Sequence, residues 1–383
     1  MLRFSVLRRF TATGRILSQQ CVGVTTSIFP GRYVQGPGAM NLLGEELARL
    51  GKRALVLQPP SVSMGYGPRL QKVLEGKVDA VMEAFRGESS DEEINRLCKI
   101  GSVDVVAGIG GGKTVDTAKA VAYQLKVPVA VMPTVASTDA PCSALSVIYK
   151  TSGEFDRYLI LPHNPNVVLV DSDIVSRAPV RLLVSGMGDA LATWFEAESC
   201  AVSRRCNLTG RLSSHTALGL ARLCYDTLLQ YGVLAKEACA KKTNSPALER
   251  VIEANTLLSG LGFESGGLAG AHAIHNGLTQ LPEAHNMWHG EKVTIGLLAS
   301  LTLTDKPPQV IDEVYSFCES VGLPTTLADI GCSKMSDEAL MKVAETACAP
   351  GETIHNEAGI VTPEAVMKAL RAADAIGCAR KRQ

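Results

Sequence analysis

No Asp or Glu occurs before Glu45 in this 383-residue chain, although the whole chain balances 38 basic against 38 acidic residues. Other absences narrow the reading further. The formal net charge is zero, which argues against a broad electrostatic surface for nucleic acid or acidic membranes. No run is long and apolar enough to cross a bilayer as a helix. The eleven cysteines are scattered and form no Cys-x-x-Cys pair. That spacing argues against a disulfide framework and for mostly buried thiols in a reducing compartment.

The acid-free start is basic and hydroxylated instead. Arg3, Arg8, Arg9 and Arg15 are interleaved with Leu2, Phe4, Val6, Leu7, Phe10, Ile16 and Leu17, with Ser5, Thr11, Thr13 and Ser18 between them. This is the pattern of a mitochondrial transit segment. A disordered tail or a misplaced start codon on a cytoplasmic protein gives the same pattern. Residues 1–24 are expected to be a targeting extension leading to the mitochondrial matrix.

The remaining length predicts two domains. Arg53–Leu57 is a short apolar run before Pro59-Pro60, which reads as a buried strand followed by a loop. Residues 91–100 have helical spacing, Val103–Ala107 reads as a strand, and Gly108–Gly112 as the turn after it. Thr114–Leu125 is helix-like, and Val127–Val131 and Val167–Val170 are further strands. Alternation of this kind predicts an α/β domain with a parallel sheet and crossover helices. From Val180 onward the pattern turns helical, over 186–202, 213–236, 246–262, 266–279, 287–303, 309–321, 337–348 and 363–375.

Four segments carry candidate chemistry. Gly108-Ile-Gly110-Gly111-Gly112-Lys113-Thr114 is a glycine turn between a strand and a helix. Backbone N–H groups in such a turn approach a phosphate at the helix N-terminus. It misses the P-loop because Ala107 stands where the first Gly belongs, and it misses the Rossmann pattern because Lys113 occupies the sixth place. A purely structural turn remains the alternative. Pro133–Asp139 follows a strand end, the edge where open α/β sheets bind ligands, although self-capping hydroxyls fit it equally. Gly186–Trp194 puts Asp189 near a helix start, where it reads first as a cap. Last, His272, His275, His285 and His289 are four of the chain's seven histidines. Two imidazoles with one distant carboxylate would make a three-ligand site with open coordination, as catalytic zinc requires.

Segments 108–119, 133–146, 153–161, 188–197, 247–270 and 272–292 together resemble the glycerol dehydrogenase family, within the iron-containing, group III metal-dependent alcohol dehydrogenases. The likeness runs from Phe29 to the C-terminus. It implies a Rossmann-like α/β domain at 25–180, an all-α metal and substrate domain at 181–383, and a dehydroquinate-synthase-like architecture with a cleft between them. It also implies reversible NAD-dependent oxidation of glycerol to dihydroxyacetone, with one Zn2+ per chain as Lewis acid. By position, Asp189, His272 and His289 match metal ligands and, with Asp139, contact substrate. Gly111, Gly112 and Lys113 match the pyrophosphate turn, with Asp116 beside it. Thr134, Ser137, Ser143, Leu145 and Tyr149 match residues around the nicotinamide half. His275 is a proton-relay candidate or simply a hydrogen-bonded neighbour; His285 is expected in solvent; His355 receives no role. The resemblance implies a homo-oligomer, an octamer in the family, acting on a small polyol without nucleic acid or membrane partners.

Two positions depart from the family pattern. Four-ligand iron enzymes carry a histidine one turn after the metal aspartate; Thr193 stands there instead, which favours Zn2+ over Fe2+. NAD-preferring relatives place an aspartate after the Ala54–Leu57 strand; here it is Pro59. Losing that carboxylate weakens discrimination against NADP. A reductase of another small diol, hydroxyketone or aldehyde such as lactaldehyde, and a catalytically silent dinucleotide-binding protein, are the competing readings.

Overall fold

The apolar runs of the first half are buried on both faces, as strands of a parallel sheet between helical layers must be. The structure, a computed structural model, describes residues 23–382. The expected targeting extension therefore lies outside the described residues, apart from its last two positions. Strands β1 (Tyr33–Gly36), β2 (Arg53–Gln58), β3 (Asp79–Ala84), β4 (Val105–Gly110) and β5 (Val129–Pro133) lie in one sheet. β6 (Leu145–Tyr149) and β7 (Phe155–Ile160) form a separate antiparallel hairpin, and β8 (Val167–Asp171) returns to the main sheet. Its order is β1-β8-β5-β4-β2-β3, with every pairing parallel.

Helices α1 (Leu43–Ala48), α2 (Pro60–Leu74), α3 (Asp91–Leu97), α4 (Gly112–Leu125) and α5 (Ser172–Val175) accompany the sheet. Ala54, Val56, Ala107 and Ile109 face one core with Leu70 and Leu74 of α2. Leu55, Leu57 and Val106 face the other, which continues without a break into the helical half. That half comprises α6 (Val180–Ser203), α7 (His215–Ala240), α8 (Pro246–Glu253), α9 (Ser259–Gly266), α10 (Gly270–Leu278), α11 (His289–Leu303), α12 (Pro308–Val321), α13 (Asp337–Ala347) and α14 (Pro363–Arg380). A π-helical segment, Ala254–Leu258, joins α8 to α9.

The topology locates a crevice. β2 leads outward to β3, whereas β4, on the other side of β2, leads to β5. Ligands of open parallel sheets bind where this direction reverses, beyond the carboxyl ends of the strands. Pro59 and the glycine turn meet there: a Cβ placed on Gly110 would lie 3.0 Å from Pro59 Cδ.

Two expectations need correction. The loop after Pro59-Pro60 is helix α2, with Pro60 in the first turn, where its missing N–H costs nothing. Gly65, Gly67 and Pro68 conceal that helix in the sequence. The turn over Gly108–Gly112 is shorter, because β4 runs on to Gly110. Gly108 serves packing instead: a Cβ there would stand 2.5 Å from Ala118 Cβ of α4. The cysteines follow the expectation: among the described residues nine are free thiols, six of them buried.

Candidate metal centre and cofactor cleft

Asp189 sits in the third turn of α6, not at its start, because the apolar stretch from Val180 already belongs to the helix. The cap reading of this carboxylate is therefore wrong. His289 is the first residue of α11, and His272 lies in the first turn of α10. Small residues bring these elements together. A Cβ on Gly290 would meet Ser185 O at 1.7 Å and Asp189 N at 2.9 Å, and one on Gly188 would meet Gly290 O at 2.5 Å. The backbones of α6 and α11 thus touch beside the site. Arg181 donates to Glu291, which also accepts from Trp288 N, and so fixes the start of α11.

The result is a triad. Asp189 Oδ1 lies 3.3 Å from His272 Nε2 and 3.1 Å from His289 Nε2. One donor atom from each residue falls within 4.8 Å of the others. Asp189 is buried, and its Oδ1 has no hydrogen-bond partner among the described residues. An orphaned buried carboxylate oxygen is costly, and a cation between it and the two imidazoles removes that cost. One carboxylate and two imidazoles suit a divalent transition metal with coordination left open. The three side chains form a metal site.

Its second layer was not anticipated. Glu196, buried on α6, accepts from His272 Nδ1 at 2.5 Å through Oε2. Its other oxygen accepts from the backbone N–H of Ala269 and His272, each at 2.9 Å, capping α10. The signal was available: Glu196 follows Asp189 by seven residues, two helical turns along the same face. Thr193, between them, donates to Ser259 Oγ at 2.8 Å, and Ser259 donates to Asp139 Oδ2 at 2.7 Å. Asp139 is buried, and its N–H donates to Asp189 Oδ2 at 3.4 Å. The predicted substrate aspartate is therefore brought to the triad.

Charges follow this geometry. Burial opposes ionisation of Asp189, but His289 and His272 outweigh it and hold the carboxyl well below its usual range. Burial opposes charging of His272 likewise, but Glu196 and Asp189 hold it well above the usual histidine range. Burial, then the neighbouring Asp189, push Asp139 well up. His275 is buried with its ring centroid 4.3 Å from that of His289, and Nδ1 contacts Asn276 Oδ1 at 3.1 Å. His285 is exposed and donates to Thr279 O; His355 lies within 3.2 Å of the Cys348 and Ala349 carbonyls.

The cofactor candidates lie on the glycine turn and α4, just after β5, and on or just before β6. Gly111 caps α4, and no neighbour lies within 4 Å of a Cβ placed on Gly111 or Gly112, so the turn is open. Lys113 Nζ stands 4.9 Å from the centroid of the Tyr149 ring and pairs with Glu88 at 2.7 Å. Thr134 N donates to Gly110 O at 3.0 Å, tying β5 to the turn. Thr134, Ser137 and Leu145 are half-buried. Asp116 and Ser143 point inward instead: Asp116 pairs with Lys119 at 3.1 Å, and Ser143 Oγ donates to Ala140 O at 3.1 Å. Asn255, on the π-helical segment, donates to Ala136 O and Leu183 O at 3.0 and 3.1 Å, joining the cleft's two walls.

A parallel-sheet domain with an open glycine turn, facing an Asp-His-His metal site in a helical domain, defines a metal-dependent oxidoreductase. The family model for iron-containing alcohol dehydrogenase matches residues 30–172. The glycerol dehydrogenase of Thermotoga maritima is 64% identical over 360 residues, covering 94% of this chain and 99% of that one. The glycolaldehyde reductase of Halobacterium salinarum is 44% identical over 358 residues, covering 92% and 98%. The crystal structure of glycerol dehydrogenase from Schizosaccharomyces pombe superimposes with a TM-score of 0.92 at 37% identity, covering 95% of this chain and 94% of that one. The chain belongs to the iron-containing alcohol dehydrogenase family, in its glycerol dehydrogenase branch.

Proposed function

We propose that this chain oxidises glycerol or a similar vicinal diol to the hydroxyketone, reversibly, with NAD as hydride acceptor and Zn2+ as its metal. The observation that carries the reading is Asp189 Oδ1, buried without a hydrogen-bond partner between two imidazole nitrogens. When bound, the metal supplies Lewis-acid polarisation of the alcohol oxygen, and the nicotinamide supplies the hydride acceptor. The protein's own groups do the rest. Asp189, His272 and His289 hold the cation with one negative charge, leaving a net positive site for the oxygen. Glu196 accepts a hydrogen bond from Nδ1–H of His272 and so fixes the tautomer whose Nε2 faces the site. Asp139, held by Ser259, stands where a second hydroxyl of a diol arrives. The Gly111–Gly112 amides and Lys113 hold the pyrophosphate at the start of α4, which aligns the ring.

Thr193 supports zinc over iron, because its hydroxyl is committed to Ser259 and offers no fourth ligand. Pro59 supports a weak preference for NAD over NADP, since no carboxylate on that residue repels a 2′-phosphate. The glycolaldehyde reductase relative favours a second reading, reduction of a small hydroxyaldehyde at the same site. Steady-state rates with glycerol, 1,2-propanediol, dihydroxyacetone, glycolaldehyde and simple alcohols, on protein of measured metal content, separate the two. The proposal expects vicinal diols to be preferred over monoalcohols. A glycolaldehyde kcat/KM greater than that for glycerol or dihydroxyacetone by about tens-fold would transfer the assignment to the second reading.

A further inference from the structure

The segment 140–145 spans the distance between the two halves of the chemistry. At its start, Asp139 lies against the metal triad, with its N–H on Asp189 Oδ2. At its end, β6 runs alongside α4: Ser146 Oγ donates to Asp116 O at 3.0 Å, and Tyr149 lies under Lys113 of the glycine turn. The shape of this segment therefore fixes where the cofactor end sits relative to the metal.

Buried charged groups grip it from both domains. Lys119, on α4, has a fully buried side chain. Its ammonium donates to the carbonyls of Ala140, at 2.9 Å, and Leu145, with Ser143 O at 3.4 Å. From the helical half, Glu264 of α9 accepts from Ala144 N–H at 2.6 Å and from Asn164 Nδ2 at 2.5 Å. Asn164 in turn donates to Cys142 O at 2.8 Å. Buried ionic groups are inefficient stabilisers of a fold, and all of these contacts converge on one short segment.

We propose that Lys119 and Glu264 are positioning residues of the cofactor site, holding 140–145 from the sheet domain and the helical domain so that the nicotinamide meets the metal-bound substrate at a fixed distance. The proposal rests on the functional reading above. It has a pH signature. Burial pushes Glu264 up to about 7, opposed by Ala144 N–H, Asn164 and Lys119. The thiol of Cys142, raised by burial and by nearby carboxylates, is the other titratable group facing it. Protonating Glu264 removes an acceptor from Asn164, so the grip weakens as pH falls through about 7.

The test is NADH binding, followed by fluorescence titration of the zinc-loaded full chain at about pH 8 and about pH 6. Glu264→Gln keeps the shape but turns an amide N–H2 toward Asn164. Its Kd for NADH should be weaker than wild type by about tenfold at the higher pH, with unchanged zinc content and no further change at the lower. Wild-type Kd should rise toward the variant's value as pH falls. Lys119→Met should weaken binding in the same direction, and if it fails to fold, Glu264→Gln decides alone. Wild-type affinity in Glu264→Gln at both pH values overturns the proposal. A wild-type chain that binds no NADH at all overturns the functional reading instead.

Discussion

Glu196 Oε2 lies 2.5 Å from His272 Nδ1, and its partner oxygen caps the helix that carries His272. One carboxylate thus sets both the position and the tautomer of a metal ligand. Glu196→Gln preserves the capping oxygen but presents N–H2 to Nδ1. Metal affinity should fall by about 10–100-fold, read by competition with a chelator of known affinity. Unchanged affinity would show that the pair is not functional.

The stability of the triad should depend on pH in opposite senses with and without metal. In the metal-free protein, burial disfavours the charged form of His272, but Glu196 and Asp189 raise its affinity for the proton above the unfolded value. The folded state therefore binds more protons than the unfolded chain above about pH 6.5. This contribution is complete below that pH and is lost as pH rises through the folded value. Metal binding needs Nε2 unprotonated and gains as pH rises. Between about pH 6.5 and pH 8.5, the Tm of stripped protein should fall and the increase on adding Zn2+ should grow. A zinc-induced increase that shrinks with rising pH would contradict this.

The contact between α6 and α11 has no room for a methyl group. A Cβ at position 290 would lie 1.7 Å from Ser185 O. Gly290→Ala should displace His289 from Asp189, destabilise the protein by about 1–3 kcal/mol and lower its zinc content. Differential scanning calorimetry and metal analysis of the purified variant measure both, and a variant with wild-type Tm and full zinc would show that the helices can shift freely.

Cofactor choice should be tunable at Pro59, which touches the glycine turn. Pro59→Asp should raise the preference for NAD over NADP by about tenfold or more, through repulsion of the 2′-phosphate and a bond to the ribose. The ratio of kcat/KM values for the two cofactors gives the answer. An unchanged ratio would place the adenosine ribose elsewhere.

Most of the fold was legible because burial on both faces leaves near-continuous apolar strands, such as Leu55–Leu57 and Val167–Val170, and because the second half has helical spacing throughout. β3 was not legible, since its ends are exposed, its middle residues only half-buried, and Asp79 and Glu83 interrupt the apolar run. α2 was hidden by its own glycines and proline. The metal residues were legible only in combination: the histidines are local, but Asp189 lies 83 residues before His272. It read alone as a helix cap, and only the course of α6 removes that meaning. Ser259, Asn255 and Glu264 were not legible because their roles arise from contacts far apart in sequence, where no periodicity records the partner, whereas Glu196 shares a helix face with Asp189 and was legible by that spacing. His275 was found but not resolved into a role, and its place against His289 is a product of helix packing.

The central claim is that one cation, held by Asp189, His272 and His289, is required for hydride transfer from a diol to NAD. The most direct measurement is glycerol-dependent NADH formation during stepwise return of Zn2+ to chelator-stripped protein, with Asp189→Asn alongside. The account predicts no turnover when stripped, a linear recovery that ends at one zinc per chain, and no recovery in Asp189→Asn. Full turnover in the stripped protein, or recovery in Asp189→Asn equal to wild type, would contradict it.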